Sequence, residues 1–219
     1  MKQYYQFNSD ISIVGRFGDN VTNDIIKNEP MFFNSNIWYA YTNGGPITRS
    51  FIDNLPKEYR NDLAVFDSRV HMLMPDWYPA IPGFHHDDVA RGTDGQPNYD
   101  NIEFKSKHVL GLVNADICPT EFALGDCYMP KVDKGEIIYE QWHKEVKSLL
   151  DSNKLDLVKA KDRTIYEFDY QTFHQGNKAI ANGWRWFGRV SINTERSYKI
   201  TNEIRRQVQV YLENPMQGW

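Results

Sequence analysis

The stretch WRWFGRVSINT (184–194) is where the fold of this chain is decided. Successive side chains of a strand point to opposite sides, so Arg185, Phe187, Arg189 and Ser191 share one face while Trp186, Gly188 and Val190 share the other. One face is fit for a core, and the other presents two guanidinium groups in the same direction. Immediately upstream lies QTFHQGNKAIANG (171–183), a polar, turn-rich link, and before it TIYEFDY (164–170), which again reads as a strand.

Working outward, HVLGLVNADI (108–117) is apolar and β-branched enough for a buried strand, and EFALGD (121–126) for another. AVFDSRVHMLMPDWYPAIPGF (64–84) is strand-like but interrupted by prolines, as suits a bent or edge strand that delivers residues to a rim. ARGTDGQPNYDN (90–101) is rich in turn formers and reads as an exposed loop. GEIIYEQWHKEVKSLLDS (135–152) puts Ile138, Trp142, Val146, Leu149 and Leu150 on one stripe and predicts a packed amphipathic helix. In the first third, MFFNSNIWYAYT (31–42) reads as strand, NGGPIT (43–48) as a turn, and SFIDNLPKEYRNDL (50–63) as a helix with Ser50 as its N-cap. RRQVQVYL (205–212) alternates like a strand, with a terminal helix as the alternative. Strands dominate, with at least two helices outside them. The pattern favours a β-sandwich or jelly roll with helical additions over a parallel α/β sheet.

The chain has 219 residues, 41% hydrophobic and 14% aromatic, enough for the core of one domain, and no internal repeat or low-complexity linker divides it. A net charge of −4 argues against a nucleic-acid partner. MKQYYQFNSD lacks the apolar core of a secretory signal, and no stretch approaches the roughly 20 apolar residues of a spanning helix. A soluble, cytoplasmic protein is the expectation. Cys118 and Cys127 are too few for a disulfide framework and lack the spacing of a zinc ribbon, so both are expected to be reduced structural thiols.

PGFHHDDVARG (82–92) carries the chemistry. His85 and Asp87 are one residue apart, so in an extended or turn segment both side chains converge on one point. His86 and Asp88 offer the same geometry on the opposite face. His174, leaving a strand, is the best third ligand. Two imidazoles and one carboxylate on one face of an octahedron leave three positions open, the arrangement of non-haem Fe(II) oxygenases. Taken alone, HHDD reads equally well as a solvated polar turn. Arg185 lies eleven residues beyond His174 at the start of a new strand. A buried cation there can pair bidentately with the far carboxylate of a dicarboxylic acid whose other end chelates the metal.

With these residues in place the chain resembles the Fe(II)/2-oxoglutarate-dependent oxygenases, whose core is a double-stranded β-helix, or jelly roll. PGFHHDD matches the H-x-D strand end, FDYQTFHQGN the distal histidine, and GWRWFGRV the arginine for 2-oxoglutarate. The gap from His174 to Arg185, with Asn177 and Gly183 inside it, is most similar to the phytanoyl-CoA-hydroxylase-like branch. The match lies in three short patches, and residues 1–60 take no part in it. The resemblance implies a mainly β single domain over 1–219, with a jelly-roll core at about 64–212, an N-terminal α/β extension and a helical insert at about 135–152.

It further implies Fe(II) held by His85, Asp87 and His174, and 2-oxoglutarate held by Arg185 or by Arg189, with Arg185 favoured on spacing. Retention of the acid at Asp87 points to hydroxylation or desaturation rather than halogenation. The implied partners are a small-molecule substrate and O2, with release of succinate and CO2; a peptide side chain or an unpaired nucleobase is not excluded as substrate. The turn-rich loop after the metal strand is a candidate lid. Two other readings stand beside this one: a cupin-type metalloenzyme without 2-oxoglutarate, and a non-enzymatic jelly-roll binding or structural module. His71, His108 and His143 lack a partner at ligand spacing and are expected to be structural, and Trp184 and Trp186 to be wall or core.

Overall fold

The computed structural model describes residues 3–18, 21–133 and 135–212. The chain begins with strands β1 (Tyr4–Ser9) and β2 (Ser12–Arg16), helix α1 (Asn23–Lys27) and short strands β3 (Met31–Phe33) and β4 (Ser35–Asn36). Helices α2 (Ile37–Asn43) and α3 (Pro46–Asp53) lead to β5 (Val65–Leu73), β6 (Lys107–Val113) and β7 (Thr120–Pro130). Then come α4 (Ile138–Asp151), β8 (Asp156–Lys159), β9 (Thr164–Asp169), β10 (Phe173–Gly176), β11 (Gly183–Ile192) and β12 (Glu203–Arg205).

The architecture is mainly β with few helices. One sheet runs β2-β9-β6-β11-β5-β4; in a second, β7 pairs with β1, β10 and β8. Every pairing between the described strands is antiparallel. The sheets pack face to face: Phe122 of β7 meets the rings of Tyr166 and Phe168 of β9 at 5.8 and 5.4 Å and joins Leu110 and Leu112 of β6 in one apolar cluster. The outer face of the larger sheet, with Phe66, Val70, Trp186 and Val190, packs on Ile26, Ile37, Ala40 and Phe51 from the three N-terminal helices. The outer face of the smaller sheet, with Phe7, Ala123 and Phe173, packs on Tyr139, Trp142 and Val146 of α4. This is a layered design, helices outside two sheets, with the alternation of each strand deciding which residues enter which layer.

Two glycines make one of these layers possible. Gly188 of β11 and Gly111 of β6 are register partners. A Cβ on Gly188 would lie 2.1 Å from the Trp186 ring, and one on Gly111 2.6 Å from Phe17 and 2.8 Å from Phe51. The paired glycines form a slot in the sheet that three aromatic rings fill.

Some segments fold differently from the expectation. Residues 37–43 are helical, because the Asn36 side chain accepts from the amides of Trp38 and Tyr39 at 2.9 and 3.3 Å and burial of Ile37 and Ala40 outweighs the β preference of the aromatics. Helix α3 starts earlier than Ser50, at Pro46 after Gly45, and the Ser50 hydroxyl accepts instead from the amide of Gly18 at 2.9 Å. The link at 171–183 contains strand β10, and 205–212 forms neither a full strand nor a helix beyond an isolated bridge of Tyr211 to Tyr78. Cys118 and Cys127 are free and buried, and burial pushes both thiols up, Cys127 to about 12. Among the described residues, no helix is long and apolar enough to cross a membrane.

Candidate metal centre

His174 sits on the inward face of β10, because its neighbour Phe173 is committed to the apolar layer under α4 and the alternation turns His174 the other way. A pair of backbone hydrogen bonds, His85 N to His174 O at 3.1 Å and His174 N to His85 O at 3.2 Å, lays the PGFHHDD segment alongside β10. The two imidazoles therefore face each other with ring centroids 4.6 Å apart. Gly83 supports the turn at φ 113, and the amide of Phe84 donates to Nδ1 of His143 on α4 at 3.0 Å. Asp88, at φ 52, turns the chain away again.

His85, Asp87 and His174 each offer a ligand atom within 4.8 Å of the others. Both histidines donate Nδ1–H to the carbonyl two residues back, His85 to Gly83 at 2.8 Å and His174 to Thr172 at 3.0 Å. In the neutral ring that bond leaves Nε2 as a lone pair. His85 Nε2 faces Asp87 Oδ1 at 3.8 Å and His174 Nε2 faces Asp87 Oδ2 at 3.0 Å. Both Nε2 atoms thus face the Asp87 carboxylate. Burial, then the adjacent His174, lowers the His85 pKa to about 3, so this imidazole is neutral and ligand-competent at ordinary pH. Burial by itself would raise the Asp87 pKa, but Arg189 and then His174 overrule it and hold the carboxyl well below the usual range. The residues present thus fit a divalent metal held by the Nε2 atoms of two imidazoles and by one carboxylate.

The shifted pair goes elsewhere. His86 is buried, its ring 3.9 Å from that of Phe173 and its Nδ1 bonded to the Tyr99 hydroxyl at 2.9 Å, while Tyr99 and Tyr139 bond each other and Tyr139 donates to the His86 carbonyl. Asp88 meets Arg196 at 3.5 Å. Neither side chain belongs to the metal-competent group.

A cavity of about 270 Å³ opens beside His85, Asp87 and His174. Asp67, Arg69 and His71 of β5 and Arg185, Phe187 and Arg189 of β11 form one wall of it. The wall is a direct product of register: Arg185 lies opposite His71, Phe187 opposite Arg69 and Arg189 opposite Asp67. Both arginines singled out in the sequence point into the cavity, but their surroundings differ. Arg189 is engaged by Asp87 and by Asp67 at 3.2 Å, and Asp67 also takes Arg196 at 2.7 Å. Arg185 is 2% exposed, has no carboxylate partner among the described residues, and its Nε lacks any hydrogen bond. A fully buried guanidinium without a counter-ion is costly unless a ligand supplies one.

Three residues of this wall escaped the sequence reading: Asp67, Arg69 and His71, the last expected to be only structural. His71 is buried, burial and then Arg185 lower its pKa to about 3, and neither ring nitrogen has a hydrogen bond of ordinary geometry. The available signal was the alternation within VFDSRVHML (65–73), where the polar residues fall at period two between Phe66, Ser68 and Val70. His108 bonds Ser191 at 2.8 Å, outside the metal-competent group. The loop at 90–101 is closed on itself by Gly92 N to Gln96 O and Asn98 N to Ala90 O, both 2.8 Å, and tied to α4 through Gln96, which accepts from the amide of Ile138 at 3.1 Å.

No protein-family model matches this chain, and no curated protein matches it in sequence. Among solved structures it is similar to an N-substituted L-amino acid dioxygenase from Burkholderia ambifaria AMMD, with 14% identity and a TM-score of 0.35 over 59% of this chain and 50% of that one. The same kind of dioxygenase from that organism in complex with alpha-KG gives 14% identity and a TM-score of 0.33 over 59% and 49%. EvdO2 from Micromonospora carbonacea var. aurantiaca, complexed with 2-oxoglutarate, is similar at 11% identity and a TM-score of 0.34 over 76% and 60%. The alignment spans about half to three-fifths of the length of these proteins.

Proposed function

We propose that this protein is an Fe(II)- and 2-oxoglutarate-dependent dioxygenase of the phytanoyl-CoA-hydroxylase-like branch, hydroxylating or desaturating a small molecule. The observation that carries the proposal is one cavity holding both His85, Asp87 and His174 and the buried, uncompensated guanidinium of Arg185. A jelly-roll core at about 64–212 in a single domain is part of the same reading. It is supported by the antiparallel order β9-β6-β11-β5 facing β8-β7-β10, with the His85 segment bridged to β10.

In this reading His85, Asp87 and His174 would hold iron through two imidazoles and one carboxylate. When bound, iron and 2-oxoglutarate together supply the oxidising power from O2, with succinate and CO2 as co-products. The chain's own part is to bind, orient and exclude water. Arg189, engaged on Oδ2 of Asp87, would fix the orientation of the carboxylate and keep it ionised for the metal. The backbone acceptors at Gly83 and Thr172 fix the ring tautomers. Arg185 receives the 5-carboxylate of 2-oxoglutarate in a fork of paired hydrogen bonds, favoured over Arg189 because Arg189 already has two acids. His71, the register partner of Arg185, stands on the cavity wall beside that end. The ligand group keeps the carboxylate of Asp87, so transfer of oxygen or removal of hydrogen is favoured over halide transfer.

The test is anaerobic titration of the purified protein with Fe(II) and 2-oxoglutarate, following the visible charge-transfer band and the affinity. Wild type is expected to show the band, His174→Ala to abolish it, and Arg185→Ala to weaken 2-oxoglutarate binding by about a hundredfold, as befits a lost charged hydrogen-bond pair. Absence of the band in wild type would return the site to the cupin or non-enzymatic readings.

A further inference from the structure

Around the proposed site four guanidinium groups, Arg69, Arg185, Arg189 and Arg196, face three carboxylates, Asp67, Asp87 and Asp88. A divalent metal and the 2-oxoglutarate dianion cancel each other, and the histidine on this wall, His71, is neutral at ordinary pH. One positive charge is left over. Arg189 and Arg196 are matched by aspartates, and Arg185 is assigned to the co-substrate, so the surplus falls on Arg69. Its side chain makes no hydrogen bond or ion pair among the described residues, and Arg205 nearby is matched by Glu203 at 2.9 Å.

The position of Arg69 suits a second ligand. It is the register partner of Phe187, midway between Arg185 and Arg189 on the neighbouring strand. Four residues of strand separate those two arginines by roughly 13 Å, so Arg69 stands one strand to the side of the line from the cofactor guanidinium to the metal carboxylate. It is half-buried, unlike Arg185, and together with Phe33 and Tyr211 it lines both the metal cavity and a smaller cavity of about 100 Å³, which Arg205 lines as well. A ligand at the junction of the two cavities would meet the guanidinium of Arg69 beside the rings of Phe33 and Tyr211, with Arg205, matched by Glu203, lying over Phe33 at 3.6 Å.

Resting on the dioxygenase reading, we infer that the substrate is an organic monocarboxylate whose carboxylate is held by Arg69 and whose apolar body lies against Phe33 and Tyr211. With Arg205 matched by Glu203, Arg69 contributes one unmatched charge, which suits a carboxylate better than a phosphate dianion, whose two charges would reverse the excess.

The test uses the full chain loaded anaerobically with Fe(II) and 2-oxoglutarate, then given O2 with phenylacetate, hexanoate and N-acetylglycine, each beside its primary amide, and with phenyl phosphate. Succinate release is measured for wild type, Arg69→Met and Arg69→Lys, with thermal melting as the check on folding. At least one acid is expected to stimulate succinate release about tenfold more than its amide, and more than phenyl phosphate does. Arg69→Met should erase that preference and Arg69→Lys restore part of it, while both retain the charge-transfer band. Equal stimulation by acids and amides, no stimulation by any acid, a phosphate preference, or a preference that survives in a folded Arg69→Met each overturns the inference. Failure of wild type to bind 2-oxoglutarate at all is a different result, because it overturns the dioxygenase reading itself.

Discussion

At the scale of single residues, the centre depends on which atoms are already spoken for. His85 and His86 are neighbours of the same type, yet one presents Nε2 to Asp87 while the other bonds a tyrosine in the aromatic layer under α4. His85→Ala is therefore expected to lower Fe(II) affinity by more than about a hundredfold, a loss at least that of removing an outer partner of a metal ligand. His86→Phe, which keeps an aromatic ring in the layer, should still bind Fe(II); equilibrium titration with the metal alone decides between them. Asp67 makes a second case. It is 6% exposed and receives both Arg189 and Arg196, and their attraction outweighs burial in holding its pKa low. Asp67→Ala leaves two guanidinium groups short of a partner and should cost about 3–5 kcal/mol in urea unfolding. The HHDD cluster and the distal histidine were legible as ligand types in the sequence, and the resemblance favoured His85 and Asp87 over His86 and Asp88; the physical reason for which pair faces His174, the backbone pairing of His85 with His174, was not legible there.

At the scale of elements, strand β11 shows how far alternation alone can reach. Its two faces divide as the sequence indicates, with Trp186 and Val190 in the helix-side core and Arg185 and Arg189 in the cavity. The glycine between them has a packing role. Gly188→Ala pushes a methyl group into Trp186, itself fully buried against Phe17 and Phe51, and is expected to destabilise by about 1–3 kcal/mol through overpacking. A chemical-denaturation midpoint close to wild type would show that the aromatic slot can yield. Elements whose state depends on partners were less legible. The 37–43 segment has the composition of a strand and becomes a helix because Asn36 caps it and its apolar residues meet the larger sheet. Strand β10 hides in a polar stretch because its ladder on β7, with Phe173 opposite Ala123 and His174 opposite Phe122, supplies the order that its own residues do not.

For the molecule as a whole, the buried histidines set the response to acid. His71, His85 and His108 are driven by burial from the ordinary 6.5 to about 3, 3 and 4. The unfolded chain takes up protons that the native fold refuses, so stability is full above about pH 6.5 and falls as the pH drops towards 4, by roughly 1.4 kcal/mol per unit for each histidine. Asp67 and Asp87, held below their usual range, add a loss of the same sign at lower pH. The urea midpoint of the metal-free protein should be flat above pH 7 and decline steeply below 6.5; a midpoint independent of pH between 7 and 5 would mean that these rings are hydrated. What the sequence by itself determined was the inventory: strands with one polar face, an amphipathic helix, a turn bearing H-x-D, a histidine and two arginines in order, because period and residue type are local properties. What only the tertiary structure decided was the pairing, for the register of β5 against β11 sets His71 opposite Arg185 and Arg69 opposite Phe187, and the fold of one sheet over the other brings residues 85, 87 and 174 to one point. The reason is physical: alternation says which way a side chain turns, but the energy of packing the two sheets, spread over many distant contacts, says what it turns towards.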